Sequence, residues 1–116
     1  MNQNSKKTLI EVYANAWKTL NVDLLVPFLD DKFTYSSIWI LGTINRDKYI
    51  DYLRGKFNII KKSNSRITAV VGHNEIGELA VVLRQDLPHI EDDFHRGVIT
   101  IKEENGKITN AYMSQF

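Results

Sequence analysis

Lys32-Phe33-Thr34-Tyr35-Ser36-Ser37-Ile38-Trp39-Ile40 is the stretch in which the hydrophobic period changes to two. Phe33, Tyr35, Ser37 and Trp39 fall on one side of an extended chain, and Thr34, Ser36, Ile38 and Ile40 on the other. That alternation predicts a strand with one face toward a core. Gly42 then marks a turn into a brief second strand. The segments on either side are helical in pattern. Upstream, Leu9, Val12, Tyr13, Ala16, Trp17 and Leu20 form an i, i+3, i+4, i+7 stripe that predicts an amphipathic helix over 5–20, with Ser5 as its cap. A second helix over 22–29 presents Leu24, Leu25, Phe28 and Leu29, and Pro27 deprives it of a backbone donor, so it is expected to be short or distorted. Downstream, Asn45 caps a third helix that runs to about Lys61, with Asp47 complementing the helix dipole in its first turn. Tyr49, Ile50, Leu53, Phe57 and Ile60 make its buried stripe.

Four further strand-like runs follow, at 66–72, 79–87, 94–102 and 107–115, and the last two are joined by Asn105-Gly106. Asn-Gly between strand residues predicts a tight hairpin, because both central positions of a type I′ turn need positive φ. Regular pairing from that turn sets Ile101 against Asn110 and Ile99 against Tyr112. One face then carries His95, Ile99, Ile101, Ile108, Tyr112 and Phe116, and the other Arg96, Val98, Thr100, Thr109, Ala111, Met113 and Gln115. The first set is the more apolar and is expected to face the helices; a bulge at Gly97 would exchange the sets beyond that point. Three helices in the N-terminal half and a late meander predict an α+β domain. The helices should pack on the concave face of a strongly curved, mostly antiparallel sheet, leaving a cone-shaped cavity between the layers.

The composition narrows the function. The 116 residues read as one domain over 1–116, and 15 Lys+Arg against 14 Asp+Glu leave a net charge of +1, too small to draw nucleic acid or an anionic membrane. The absence of cysteine excludes disulfides, thiolate zinc sites, iron–sulfur clusters and cysteine nucleophiles. No apolar run approaches the roughly 20 residues of a membrane helix, and Glu11 and Asn15 interrupt what would be a signal-peptide core. A cytoplasmic location, with neither nucleic acid nor membrane as partner, is the expectation. The sequence contains no glycine-rich phosphate loop, nucleophile elbow or dinucleotide fingerprint, and no cofactor is expected.

The stretch Phe28-Leu29-Asp30-Asp31-Lys32-Phe33-Thr34-Tyr35-Ser36-Ser37, together with the order of elements, resembles the entry to the first strand in the nuclear transport factor 2-like superfamily. Asn105-Gly106-Lys107-Ile108 looks like that superfamily's closing hairpin. Its members include SnoaL-like polyketide cyclases, ketosteroid isomerases, limonene epoxide hydrolases, scytalone dehydratases and many bacterial proteins without assigned function. The resemblance implies a cystatin-like α+β cone, a homodimer through the outer sheet face, and a pocket lined by the first helix, first strand and last strands. Tyr13 falls near the place of the ketosteroid isomerase oxyanion donor. The place of that enzyme's aspartate base is taken by Ser36 or Ser37, and a hydroxyl cannot take the proton without an activating base of its own. The Asp-Arg-Asp relay of an epoxide hydrolase is represented at most by Arg84 and Asp86.

The residues expected to line a ligand pocket are Tyr13, Trp17, Tyr35, Trp39, Arg84, His95 and Tyr112. The aromatic members offer flat apolar walls with polar tips, suited to a small, mostly apolar molecule carrying one or two oxygen functions, in a cavity of about 300 Å³ or more. A histidine side chain has an unperturbed pKa close to neutrality and Asp86 could act as a base, so His95, Asp86 and Tyr13 are the catalytic candidates of a rival reading, an isomerase, dehydratase or cyclase. Packing and surface pairing account for the same residues in a third reading, a protein-interaction module with a filled core. Arg84 and Asp86 share one strand face, inward or outward. His89, Glu91, Asp92, Asp93 and His95 crowd one loop but lack helical metal-ligand spacing, and read as a solvated acidic loop. An outer face carrying Val98, Thr100, Ala111 and Met113 together would be apolar enough to dimerise.

Overall fold

Thr8, not Ser5, starts the first helix. The computed structural model describes residues 8–38, 40–86 and 94–114, with backbone alone at 40, 41, 94 and 95. Ser5, Trp39, the loop from Pro88 to Asp93, Gln115 and Phe116 lie outside the described residues. Helix α1 spans Leu9–Thr19. The Thr8 hydroxyl accepts the Glu11 N–H at 3.3 Å, and the Glu11 carboxylate accepts the Thr8 N–H at 3.0 Å, a reciprocal capping box. The expected second helix is two 3₁₀ turns, Val22–Leu24 and Val26–Phe28, with Pro27 at the start of the latter. Arg46 and Lys107 hold this irregular segment. Arg46 donates to the carbonyls of Leu29 and Val26 at 3.3 and 3.2 Å, and Lys107 to that of Pro27 at 2.8 Å. Helix α2 spans Arg46–Ser63, with Asn45 accepting from the Lys48 N–H at 2.9 Å and Asn64 closing the helix at positive φ.

Six strands form one sheet: β1 (Leu29–Ser37), β2 (Ile40–Asn45), β3 (Arg66–His73), β4 (Leu79–Asp86), β5 (Phe94–Glu104) and β6 (Lys107–Ser114). Their order is β2-β1-β6-β5-β4-β3, antiparallel except where β1 lies parallel to β6. Asn105 and Gly106 sit at φ 52° and 78°, as their turn requires. The helices cover one face. Phe33 and Tyr35 of β1, Ala69 of β3, Val81 and Leu83 of β4, Ile99 of β5 and Ile108 and Ala111 of β6 join α1 and α2 in a continuous core.

The β5–β6 register departs from regular pairing after two residues. Glu104 pairs with Lys107 and Glu103 with Ile108, but Lys102 then pairs with Asn110, which leaves Thr109 as an extra residue whose hydroxyl donates to the Lys102 carbonyl at 3.3 Å. Each side chain beyond this bulge exchanges faces. Ala111 and Met113 therefore face the helices beside Ile101 and Ile99, and Tyr112 stands on the outer face opposite Thr100, 41% exposed. The expected placement of Tyr112 inside and of Ala111 and Met113 outside is thus reversed. Gly97 is not the bulge; a Cβ there would meet the Met113 sulfur at 3.3 Å, so its small size makes room for an inward methionine. The apolar outer patch expected to drive self-association is divided between the two faces.

Phe57 of α2 is 2% exposed and meets Trp17 of α1 edge to face, with ring centroids 4.9 Å apart. Phe57→Ala is expected to destabilise the protein by about 3–5 kcal/mol, since the site has solid neighbours on each side and little freedom to collapse. Urea unfolding monitored by circular dichroism measures it; a loss below about 1 kcal/mol would mean that α2 is not anchored there.

Candidate functional site in the aromatic cone

Three elements bring five tyrosines and phenylalanines together. Period two along β1 directs Phe33, Tyr35 and Ser37 toward the helices. Tyr49 and Tyr52, three apart in α2, reach the same region, and Tyr13 of α1 comes from the other side. At the closed end, the hydroxyls of Tyr13 and Tyr49 share a hydrogen bond in full burial. Tyr49 stacks on Tyr35 at 4.4 Å and 28°, and Tyr35 on Tyr52 at 5.9 Å and 30°. Phe33 lies tilted against Tyr49 at 5.0 Å. The row leads from sealed interior to solvent: Tyr49 and Tyr35 are buried, and Tyr52 is 38% exposed. Ser37, the single buried polar residue among those described, lies two residues beyond Tyr35 on the same face of β1.

Burial sets the protonation of this row. It pushes the phenol pKa of Tyr13 far above its ordinary value, against a smaller opposing effect of the Tyr49 hydrogen bond. Tyr49 is raised by burial and then by Tyr13; Tyr35 by burial and then by Tyr52, with Ser37 opposing; Tyr52 by burial, with the Tyr35 hydrogen bond opposing. All four are neutral phenols at physiological pH, able to donate or accept a hydrogen bond and unsuited to act as bases. The Trp17 indole N–H leans toward the Tyr13 phenol without a hydrogen bond of ordinary geometry. Lys56, four residues after Tyr52 on α2, is half-buried, and desolvation lowers its ammonium pKa.

The other candidates are dispersed. Arg84 and Asp86 lie on the outer face, opposite Arg96 and Phe94 in the β4–β5 register, and pair with each other at 2.8 Å while half-exposed. Their inward alternative is excluded by alternation from Val81 and Leu83, which are buried against the helices. Tyr112 is outside because of the Thr109 bulge. The backbone of His95 pairs with Gln85; its side chain, like Trp39, lies outside the described residues. Tyr13, Trp17 and Tyr35 all belong to the buried core, where Tyr13 bonds the Tyr49 hydroxyl, Tyr35 stacks on the Tyr49 ring and Trp17 meets Phe57. Helical periodicity reads Tyr49 as core and passes over Tyr52 and Lys56. The signal available for them is the spacing Tyr49, Tyr52, Lys56, which places three hydrogen-bonding side chains along one side of α2. Among the described residues no group of three or more His, Asp or Glu could hold a metal, and no helix is long and apolar enough to cross a membrane.

No protein-family model matches the sequence, and no curated protein does. Solved structures do match. The chain is similar to an NTF2-like protein of unknown function from Cytophaga hutchinsonii, at 13% identity and TM-score 0.62 over 97% of this chain and 94% of that one. It is similar to a protein with a ketosteroid isomerase-like fold from Catenulispora acidiphila, in complex with trimethylamine, at 15% identity and TM-score 0.59 over 92% and 85%. A third is an LEH-like epoxide hydrolase from M. tuberculosis, at 13% identity and TM-score 0.62 over 93% and 76%. The chain therefore has the nuclear transport factor 2-like α+β cone fold.

Removing one hydroxyl of the Tyr13–Tyr49 pair strands the other in a dry interior. Tyr49→Phe is expected to destabilise by about 1–3 kcal/mol and the Tyr13→Phe, Tyr49→Phe double variant by less than the two single losses together. A urea-unfolding double-mutant cycle with zero coupling would show that the bond contributes nothing. Alkaline pH gives a second check. The unfolded chain's phenols ionise near pH 10 while the folded chain's remain protonated, so above that pH the unfolded state binds fewer protons and stability falls as pH rises. These groups make stability independent of pH between about 7 and 9, and a loss beginning already at pH 8 would contradict their assignment as buried neutral phenols.

Proposed function

We propose that the protein binds a small, mostly apolar molecule carrying one or two oxygen functions at the open end of the tyrosine row. The ring of such a ligand lies along Tyr35 and Tyr52, and its oxygen meets Ser37 and the Tyr52 hydroxyl. The observation that carries this reading is the gradient along the row, from the sealed Tyr13–Tyr49 pair through buried Tyr35 to half-exposed Tyr52, with the buried Ser37 hydroxyl beside it. Aromatic faces at 4.4 to 5.9 Å from one another make a preformed stack that a further ring extends. Binding fits better than turnover: apart from the half-buried Lys56 one turn beyond Tyr52, the described groups here are neutral phenols and a hydroxyl, and Asp86 is paired with Arg84 on the other face. A fold neighbour that holds trimethylamine supports small-molecule binding as a use of this architecture.

Two measurements test it. Native mass spectrometry of freshly purified protein is expected to show a retained small molecule that organic extraction removes. 2-Naphthol, as a defined probe, is expected to bind saturably and to quench tyrosine and tryptophan emission, with Tyr52→Ala weakening it about tenfold while the fold persists. The absence of both a retained molecule and saturable 2-naphthol binding would overturn the reading; conversion of the retained molecule to a new compound would replace binding with catalysis.

A further inference from the structure

An open groove of about 530 Å³ lies on the sheet face away from the helices. Its floor follows from the Thr109 bulge. The registers set Tyr112 in the middle of a cross-strand row, with Ser36 of β1 on one side and Thr100 of β5 on the other. Asn110 and Ser114, two residues before and after Tyr112, share its face. A half-exposed aromatic ring is thus bordered on four sides by short hydroxyl and amide side chains.

The wall of the groove is built separately. The turn after β3 arches over the floor and is fixed by Asn74. The Asn74 carboxamide donates to the Glu78 carboxylate at 2.9 Å and to the Thr100 hydroxyl at 3.1 Å, and its oxygen accepts the N–H groups of Ile76 and Glu78 at 3.0 and 2.9 Å. Asn110 is held likewise, its amide donating to the carbonyl and hydroxyl oxygens of Thr34 at 3.1 Å each. That leaves the Asn110 carboxamide oxygen as an acceptor and the Thr100 O–H as a donor at fixed positions. Glu75 and Glu78 on the wall outnumber Lys102 on the floor, so the groove carries a small negative charge.

We propose that this outer-face groove is a binding site for a neutral polyhydroxylated ring, the pyranose of a monosaccharide or of a sugar unit. The apolar C–H face of such a ring packs on Tyr112, and its hydroxyls exchange hydrogen bonds with Thr100, Asn110, Ser36 and Ser114 while Glu75 or Glu78 accepts from the rim. Each polar group then regains a partner for the water it loses, which a purely apolar ligand would not provide. The two carboxylates disfavour phosphorylated or acidic sugars. The site is independent of the cone: it stands on the opposite face of the sheet and shares no residue with the Tyr35–Tyr52 row.

The test is a ¹H–¹⁵N correlation titration of the intact protein with D-glucose, D-galactose and N-acetyl-D-glucosamine at millimolar concentrations, and with glucose 6-phosphate for charge. At least one neutral sugar is expected to shift the amides of Thr100, Asn110 and Tyr112 saturably, with glucose 6-phosphate weaker than glucose. Tyr112→Ala, at a half-exposed position, is expected to leave the rest of the spectrum in place and to weaken the response by about tenfold or more. Asn110→Ala, as a second variant, is expected to weaken it too. Three results overturn the proposal: no saturable shift from any of the three neutral sugars, an undiminished response in Tyr112→Ala, or a concentration-dependent dimer in sedimentation that Tyr112→Ala dissolves without any sugar effect. The last would make the groove a contact between copies of this chain. Failure of the cone reading appears elsewhere, as lost 2-naphthol shifts at Tyr35 and Tyr52.

Discussion

Thr109 is one residue more than its partner strand can pair, and the inside and outside of the sheet follow from that surplus. A strand has a side-chain period of two, so one inserted residue moves everything beyond it to the opposite face. Before the bulge, Ile108 points into the core against Leu29. After it, Ala111 is the inward residue, fully buried beside Tyr35, and Met113 follows next to Ser37, with Gly97 making room across the strand. A tyrosine at the position of Ala111 would collide with the Tyr35–Tyr49 stack. The bulge resolves the conflict by turning Tyr112 outward, and the core gains a small residue where two helices and a strand already supply rings.

The aromatic base shows how far a polar interior can go without charge. Tyr13 and Tyr49 satisfy each other, so two hydroxyls are buried with one hydrogen bond and no ion. Tyr35 is stacked between Tyr49 and Tyr52. A carboxylate in this row would face a large desolvation penalty unless partnered, whereas a phenol remains neutral and costs little. The same physics limits what the row can do. Neutral phenols orient an oxygen function and stack on a ring, but proton abstraction needs a group whose deprotonated form is populated at neutral pH. The charged pair in the C-terminal half, Arg84 and Asp86, stands on the outer face, where water solvates it and the pairing contributes little.

The two faces of one sheet therefore offer different chemistry from interleaved residues. Ser37 and Met113 belong to the interior and Ser36 and Tyr112 to the exterior, although they are chain neighbours. Alternation lets a thin layer serve an apolar, aromatic cone on one side and a hydroxyl-rich groove on the other. The fold is shared with proteins of differing chemistry, among them the epoxide hydrolase and the trimethylamine-bound protein at 13% and 15% identity. Scaffold and site are separable here because strand residues of the outer series can change without disturbing the core series.

Local physics alone determined the elements. The helical stripe of Tyr49, Leu53, Phe57 and Ile60, the alternation of Phe33, Tyr35 and Ser37, the Asn45 cap and the Asn105-Gly106 turn each follow from period, capping or positive φ, and each stands where the residues say. The late start of α1 was also readable, in Thr8 and Glu11 spaced as a capping box. What the chain could not disclose was which side of β6 faces inward. A bulge has no composition of its own; it arises because the pairing of Glu103 with Ile108 and of Tyr35 with Ala111 must hold at once, and those constraints come from three strands far apart in sequence. The partner of the Tyr13 hydroxyl was hidden for the same reason. Thirty-six residues separate it from Tyr49, and only the packing of α1 against α2 and β1 brings the two phenols into one dry space where each is the other's nearest acceptor.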